Sequence, residues 1–345
     1  MSTIFRQLFD RVSCTYTYLL ADESTRKAVL IDTVHEHYDR DRKLLRELEL
    51  ELVHTIDTHV HADHVTGAAR LRAALGSTAL IPELGGATGV DRAIRHGEAI
   101  TVGALRLEAR STPGHTNGCT SYYEPEAKRV FTGDTLFVRG CGRTDFQQGD
   151  SGTLYDSVHG QLYSLDDEVW VYPAHDYQGR TRSTIIEEKR HNPRLKLSES
   201  RDDFIATMAA LNLPNPAQIH EAVPANLWAG VRTIFHPAKG APAAEVDVGF
   251  VHREGKRYTL VDVRDEETRG GPDGAISASL SAPRSELEAR AQDWDPANAV
   301  ITICETGLDS MQAAAALRSW GFCEVASMAG GMKAWRQAGF GANLA

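Results

Sequence analysis

The chain has no Cys-x-x-Cys pair, no apolar run of membrane-crossing length and no block of Lys/Arg, and each absence removes a class of function. Its five cysteines, Cys14, Cys119, Cys141, Cys304 and Cys323, are odd in number and widely spaced. That argues against a disulfide framework or a structural zinc knuckle and fits a reducing compartment. A spanning helix needs about 20 consecutive apolar residues, so no membrane role is expected. With a formal net charge of -10 and no basic stretch, binding to phosphate backbones or anionic lipid is disfavoured and no nucleic-acid partner is expected. The opening "MSTIFRQLFD" enters an alternating apolar pattern instead of a charged-then-apolar leader, so the expected location is cytoplasmic.

What is present is a chain of 345 residues, 42% hydrophobic and 24% charged, which is too long for one ordinary core and implies two or three domains. Strand-like stretches recur up to about residue 180: "TYTYLLAD", "KAVLID", "LVHTIDT", "LRLEARS", "RVFTGD" and "EVWVYPAHD". Helical patterns lie around 37–49 and 64–75, giving a mixed α/β domain. A helical and loop-like segment at 181–232, interrupted by Pro193, Pro214, Pro216 and Pro224, completes it. "FHPAKGAPAAEVD", 235–247, reads as a linker. The rest alternates strand ("YTLVDVRD", "AVITIC") with helix ("MQAAAALRSW"), as a small α/β domain with a largely parallel sheet would. The expected division is 1–234, a linker at 235–245, and 246–345.

Polar clusters follow four of the strand-like stretches. "THVHADHVTG" packs His59, His61, Asp63 and His64 into six positions; His115, Asp134 and His175 come after "LEARSTPG", "RVFTG" and "VWVYPA". Strand ends in α/β sheets present side chains from separate loops into one crevice, so groups more than a hundred residues apart can converge. A lone loop histidine is ordinarily satisfied by hydrogen bonds, but a cluster of imidazoles and carboxylates suits zinc, iron or manganese.

This His-x-His-x-Asp-His pattern with its later partners resembles the metallo-β-lactamase superfamily. The resemblance implies an αββα sandwich with the metal at its edge. In the superfamily's hydroxyacylglutathione hydrolases all seven such residues hold two metals and a hydroxide, and all seven positions are filled here, so counting ligands leaves hydrolysis open. The wider sequence, "FTGDTLFVRGCGRTDFQQGD" at 131–150, "YPAHDY" at 172–177, and "NLPNPAQI" and "AVPAN" at 212–226, resembles the persulfide dioxygenases from about residue 3 to 232.

That second resemblance implies one Fe(II) per N-terminal domain, held by His59, His115 and Asp134, with His61, Asp63, His64 and His175 orienting ligands and water. Two histidines and one carboxylate on one face leave iron open positions for substrate and oxygen, a redox task zinc cannot perform. The implied reaction takes glutathione persulfide, O2 and water to glutathione and sulfite. Arg143 and Arg194 match family arginines near the substrate and suit its carboxylates, and Tyr177 is a candidate hydrogen-bond donor. Cys141 has no assignable base and reads as a structural thiol. A homodimer is left open.

In the C-terminal part, "AVITICETGLDSMQAAAALRSWGF" reads as a strand ending at Cys304, a six-residue loop and a helix. Backbone N–H groups and the helix dipole there would make a Cys304 thiolate nucleophilic; the competing reading of the segment is a buried strand-end cysteine. Cys323 reads as a buried strand-end cysteine. With "LVDVRDEETRGGPDGAISASLS" at 260–281 and "AGGMKAW" at 329–335, the segment is similar to single-domain rhodaneses over 246–340. This implies sulfane-sulfur transfer through a Cys304 persulfide, with thiosulfate or another donor as partner. Two departures stand out: Glu305 and Asp309 replace the basic residues common after the cysteine, and "GPDGA" replaces the usual His-Ile-Pro-Gly-Ala. Two carboxylates beside the thiolate would repel a dianion, so a different donor, or a non-catalytic module beside a dizinc hydrolase, is the alternative.

Overall fold

Seven consecutive residues from Tyr16 to Asp22 are buried on both faces of their strand, which only a sheet covered on both sides can achieve. The computed structural model describes residues 3–211, 213–214, 218–230, 235, 241–270, 274–294, 298–322 and 324–344. The chain divides into two units, Met1–Arg232 and Thr233–Ala345.

In the first unit one sheet runs in chain order: β1 (Thr3–Phe9), β2 (Tyr16–Asp22), β3 (Lys27–Ile31), β4 (Glu51–Ile56), β5 (Thr78–Pro82) and β6 (Arg92–Ile94). The second comprises β7 (Ala99–Val102), β8 (Leu105–Ser111), β9 (Thr120–Glu124), β10 (Arg129–Gly133), β11 (Trp170–Pro173) and β12 (Ser183–Thr184), with β7 and β12 at its edges. Alternate residues of both sheets fill one core: Tyr18, Leu20, Val29, Ile31 and Ile56 from the first meet Leu107, Tyr122, Phe131 and Tyr172 from the second. Helices cover the outsides. α1 (Tyr38–Glu47) and α2 (Ala68–Leu75) lie with the first sheet; α3 (Ser151–Ser157), α4 (Ile185–His191) and α5 (Arg201–Ala209) bury Leu154, Ile185 and Phe204 against Val130 and Val171 of the second. These are the four layers, α, β, β, α, expected of the N-terminal domain.

Two local differences from the sequence pattern concern the site. The helix expected over 64–75 begins only at Ala68, because Thr66 is held in a loop conformation: its amide donates to Asn226 Oδ1 at 2.8 Å and its hydroxyl to Asp57 at 3.0 Å. Pro224, expected to interrupt, lies inside α6 (Ile219–Asn226).

The second unit is a five-stranded, wholly parallel sheet of β13 (Ala244–Val246), β14 (Thr259–Asp262), β15 (Leu280–Ser281), β16 (Val300–Ile303) and β17 (Val325–Met328), ordered 13-17-16-14-15. Its strands alternate between two cores. Val261, Val300 and Val325 face one, with Leu317, and Leu260, Ile301 and Ala326 face the other, with Trp335. α7 (Val248–Glu254), α8 (Glu266–Gly270), α9 (Leu287–Ala291), α10 (Leu308–Ser319) and α11 (Gly331–Gln337) connect the strands. Phe235, placed by sequence in the linker, is buried in this unit against Phe250 and Tyr258. Cys323 and the first three residues of "GPDGA" lie outside the described residues.

Phe131 sits between the two sheets with Phe5, Tyr18 and Tyr172 around its ring. Phe131→Ala is expected to cost the first unit about 3–5 kcal/mol, read as an earlier unfolding transition of that unit in denaturant.

Candidate metal centre

The site grows from strand ends. β4 runs into a loop carrying His59, His61, Asp63 and His64; His115 follows β8, Asp134 follows β10 and His175 follows β11. The loop after β4 is anchored from below by Asp32, at the end of β3, whose carboxylate accepts from the Thr58 amide at 2.7 Å, the Thr58 hydroxyl and His61 Nε2 at 3.1 Å. The Asn226 side chain donates to the carbonyls of His61 and His64. Glycine is required at 133: φ is +53°, and a Cβ there would sit 2.7 Å from Thr58 Oγ1.

One ligand atom from each of His59, His115 and Asp134 lies within 4.8 Å of the others, and all three residues are buried. Hydrogen bonds fix which atoms face inward. His115 Nδ1 donates to the Arg143 carbonyl at 2.6 Å, turning Nε2 to within 3.5 Å of Asp134 Oδ2. Thr58 gives its hydroxyl proton to Asp32, so at 3.0 Å it accepts from His59 Nδ1–H and leaves Nε2 for the cluster. Burial, helped by the charge of His61, holds the His59 imidazole well below its ordinary range and therefore neutral. Burial alone would raise the Asp134 carboxyl, but His175 and His115 beside it outweigh that and keep it ionised. Neutral imidazoles and a carboxylate are the protonation states a divalent metal needs.

Behind Asp134 stands a relay of pairs. His175 Nδ1 contacts Asp134 Oδ1 at 2.6 Å and its Nε2 contacts Asp63 Oδ2 at 2.8 Å; the same Asp63 oxygen is 3.0 Å from His64 Nδ1 and 3.2 Å from the Thr15 hydroxyl. His61, Asp63 and His64 form a second group with the same spacing limit. Among the described residues the buried Nδ1 of His61 and Nε2 of His64 have no hydrogen-bond partner. Both ligand groups are thus assembled at the same edge of the sheets.

The cluster opens into a cavity of about 490 Å³ lined by Asp63, His115, Asp134, His175, Cys141 and Tyr177 among others, within the range of small-ligand sites. Tyr177 is 69% exposed at its mouth, its ring parallel to that of His175. Arg143 also lines it, but its fork is turned inward: Nε and Nη2 each reach Asp145 at 2.6 Å, and Nη1 donates to the Pro214 carbonyl at 2.6 Å. Arg194 is not among the described lining residues; it is half-buried, with Nη1 3.9 Å from Met208 Sδ, and its charge acts on Cys141.

In the second unit Cys304 directly follows β16 and is buried. Its Sγ accepts from the Gly307 amide at 3.1 Å and lies 3.2 Å from Ser310 Oγ, which is 2.8 Å from Ser327 Oγ. The loop is shorter than expected: α10 starts at Leu308, with Gly307 at φ +94°. Nor are its carboxylates bare. Glu305 is paired with Arg264 and Arg336, and Asp309 with Arg284 at 3.1 Å, so the uncompensated repulsion anticipated from sequence is absent.

Residues 13–175 match the metallo-beta-lactamase superfamily and residues 251–338 the rhodanese-like domain. Over 231 residues the chain is 50% identical to the human mitochondrial persulfide dioxygenase ETHE1, covering 67% of this chain and 90% of that protein. The chain belongs to the persulfide dioxygenase family. The crystal structure of ETHE1 from Myxococcus xanthus is 52% identical, with a TM-score of 0.64 over 66% of this chain and 99% of that one. A Staphylococcus aureus metallo-beta-lactamase structure, 20% identical, has a TM-score of 0.62 over 95% of this chain and 98% of its own, and shows the fold alone.

In this persulfide dioxygenase relative the groups that sequence reasoning missed are the ones that hold the ligands. Asp32 is visible only as a polar residue closing "KAVLID", and Asn226 carries no signal before its contacts are seen. Asp57, buried beneath the loop, has its carboxyl pushed up by burial to about 6. No helix among the described residues is long and apolar enough to cross a membrane.

Burial pushes the thiols of Cys119 and Cys141 up to about 12 and about 11, while Cys14 is only partly buried. Alkylation of the native protein at pH 8, followed by peptide mass mapping, should therefore modify Cys14 well before Cys119 or Cys141, and the latter two only after unfolding.

Proposed function

We propose that this enzyme oxidises glutathione persulfide with O2 at a single Fe(II) held by His59, His115 and Asp134, releasing sulfite and glutathione, and that Cys304 carries sulfane sulfur in a second, rhodanese-type reaction. The observation that carries the first part is the buried two-histidine, one-carboxylate group, of which His115 and Asp134 line a cavity, in a chain 50% identical to a persulfide dioxygenase. Iron, when bound, supplies the redox coupling between a persulfide sulfur and oxygen that zinc lacks. The protein's own part is positional. Arg143 and Thr58 set the two imidazoles through their backbone carbonyl and hydroxyl, respectively, and the His175–Asp63 pair holds Asp134 in its charged form.

For the second unit, sulfur transfer balances without an outside oxidant. The Cys304 thiolate attacks the outer sulfur of a donor, the donor's S–S bond breaks, and sulfite or a thiolate leaves with the electron pair; an acceptor thiolate then removes the sulfur and restores Cys304. The Gly307 amide donates to Sγ at 3.1 Å and fixes its direction. Each site is assembled within one unit, so neither activity requires a homodimer; the boundaries expected from sequence, 1–234 and 246–345, shift, because Phe235 and Ala244 belong to the core of the second unit. The described cysteines are all free, in keeping with a reducing cytoplasmic setting.

One observation favours a second reading. The unpartnered His61 Nδ1 and His64 Nε2, beside Asp63, would suit a second metal and dizinc thioester hydrolysis. Metal analysis of protein produced without added metal, paired with oxygen uptake on glutathione persulfide, separates the two: about one iron per chain with oxygen uptake is expected, and zinc with thioester turnover but no oxygen uptake would overturn the dioxygenase reading. His175→Gln should weaken iron binding about 10–100-fold. Cys304→Ser should abolish sulfur transfer while leaving oxygen uptake intact; transfer that survives the substitution with every donor would make the second unit a docking module.

A further inference from the structure

We propose that the Glu305 carboxylate fills the anion-binding position of the Cys304 loop and thereby sets donor choice against small dianions such as thiosulfate. The inference rests on the reading of Cys304 as a sulfur carrier. Glu305 directly follows Cys304, and its two oxygens go to different guanidinium groups, Arg264 Nη1 at 3.3 Å and Arg336 Nη2.

Arg264 is fixed independently of Glu305, and Arg336 is carried by a helix that grips the loop. Arg264, whose side chain is 4% exposed, is tied to Asp262 through Nε at 3.0 Å and Nη2 at 2.7 Å, and to the Gly274 carbonyl at 3.0 Å; Nη1 is the edge turned toward Glu305. Arg336 belongs to α11, whose first turn grips the loop: the Met332 amide donates to the Cys304 carbonyl at 2.8 Å and the Lys333 amide to the Glu305 carbonyl at 3.0 Å. Two guanidinium edges that converge on the residue directly after Cys304 make a fork suited to a multi-oxygen anion. Glu305, 41% exposed against 4% and 30% for its partners, closes that fork from the solvent side.

The charge balance has a chemical consequence. Arg264 and Arg336 face Asp262 and Glu305, Arg284 faces Asp309, and Arg269 lies 3.7 Å from the same Asp262, so the guanidinium edges turned toward the loop are already taken by carboxylates when a dianion whose charge sits on the reacting group approaches. A peptide persulfide places its carboxylates several bonds from the sulfur and does not depend on this fork. The loop is therefore tuned to peptide persulfide over thiosulfate.

The test uses the full chain. Relative to wild type, Glu305→Gln is expected to raise the ratio of kcat/KM for thiosulfate to that for glutathione persulfide by roughly tenfold. Sulfate, a non-reacting dianion, should show calorimetric binding to Glu305→Gln and not to wild type, and Glu305→Gln combined with Arg336→Gln should lose the gain. Arg336→Gln alone leaves Glu305 less compensated, so it should raise the thiosulfate KM severalfold; this variant decides the matter if Glu305→Gln does not fold. An unchanged ratio without sulfate binding, or an unchanged KM in Arg336→Gln, overturns the proposal. Failure of the sulfur-carrier reading has a separate signature: wild type would transfer sulfur no better than Cys304→Ser, while sulfate calorimetry would still report on the fork.

Discussion

The metal site depends on one buried carboxylate. Asp32 accepts from both the amide and the hydroxyl of Thr58 and from His61, fixing where the loop leaves β4 and how His59 is turned. A buried carboxylate is costly unless its oxygens are satisfied, and here satisfying them dictates the path of the residues that carry His59 to His64. Asn226 completes the constraint by binding two carbonyls of the same loop from α6. The late helical segment of the first unit is thus needed for the metal loop, although it supplies none of the seven metal-type side chains.

A second consequence of burial is electrostatic. Seven ionisable side chains gathered at the edge of a four-layer sandwich cannot all carry charge without partners, so they sort into neutral imidazole, ionised carboxylate and paired groups. His59 is held neutral by burial, whereas Asp134 and Asp63 are held ionised by His175 between them. This division matches the proposed roles, in which His59, His115 and Asp134 would hold the metal and His175 and Asp63 would support them. It also explains why the same seven residues suit two chemistries: the sorting fixes protonation and direction, while the metal supplied decides between redox and hydrolytic work.

The second unit uses the same logic with opposite economy of charge. Cys304, the proposed sulfur carrier, is buried against a core and neighboured by one amide and a pair of hydroxyls, and both Glu305 and Asp309 at the loop have an arginine. Sequence displays Glu305 and Asp309 but not their partners, because Arg264, Arg284 and Arg336 come from three other segments. A loop that reads as acidic is neutral once folded.

Strand and helix periodicity by itself determined a mixed α/β N-terminal domain and a small C-terminal domain with a largely parallel sheet; the four layers were legible only through the resemblance carried by the His-x-His-x-Asp-His pattern and its later partners. The sequence also displayed His59, His115, Asp134 and Cys304, because ligands and nucleophiles are short-range chemical signals placed at strand ends. Only the tertiary structure decided what orients them. Asp32, Asn226 and the arginines around Glu305 act across 29 to 165 residues of separation or through contacts from other elements, and no local period encodes such a contact. The same holds for Arg143: as a residue it suits a carboxylate, yet Asp145 and the Pro214 carbonyl already take its fork. A side chain's type states what it can bind; the folded neighbours decide what it does bind, because each buried donor or acceptor must be satisfied where the chain places it.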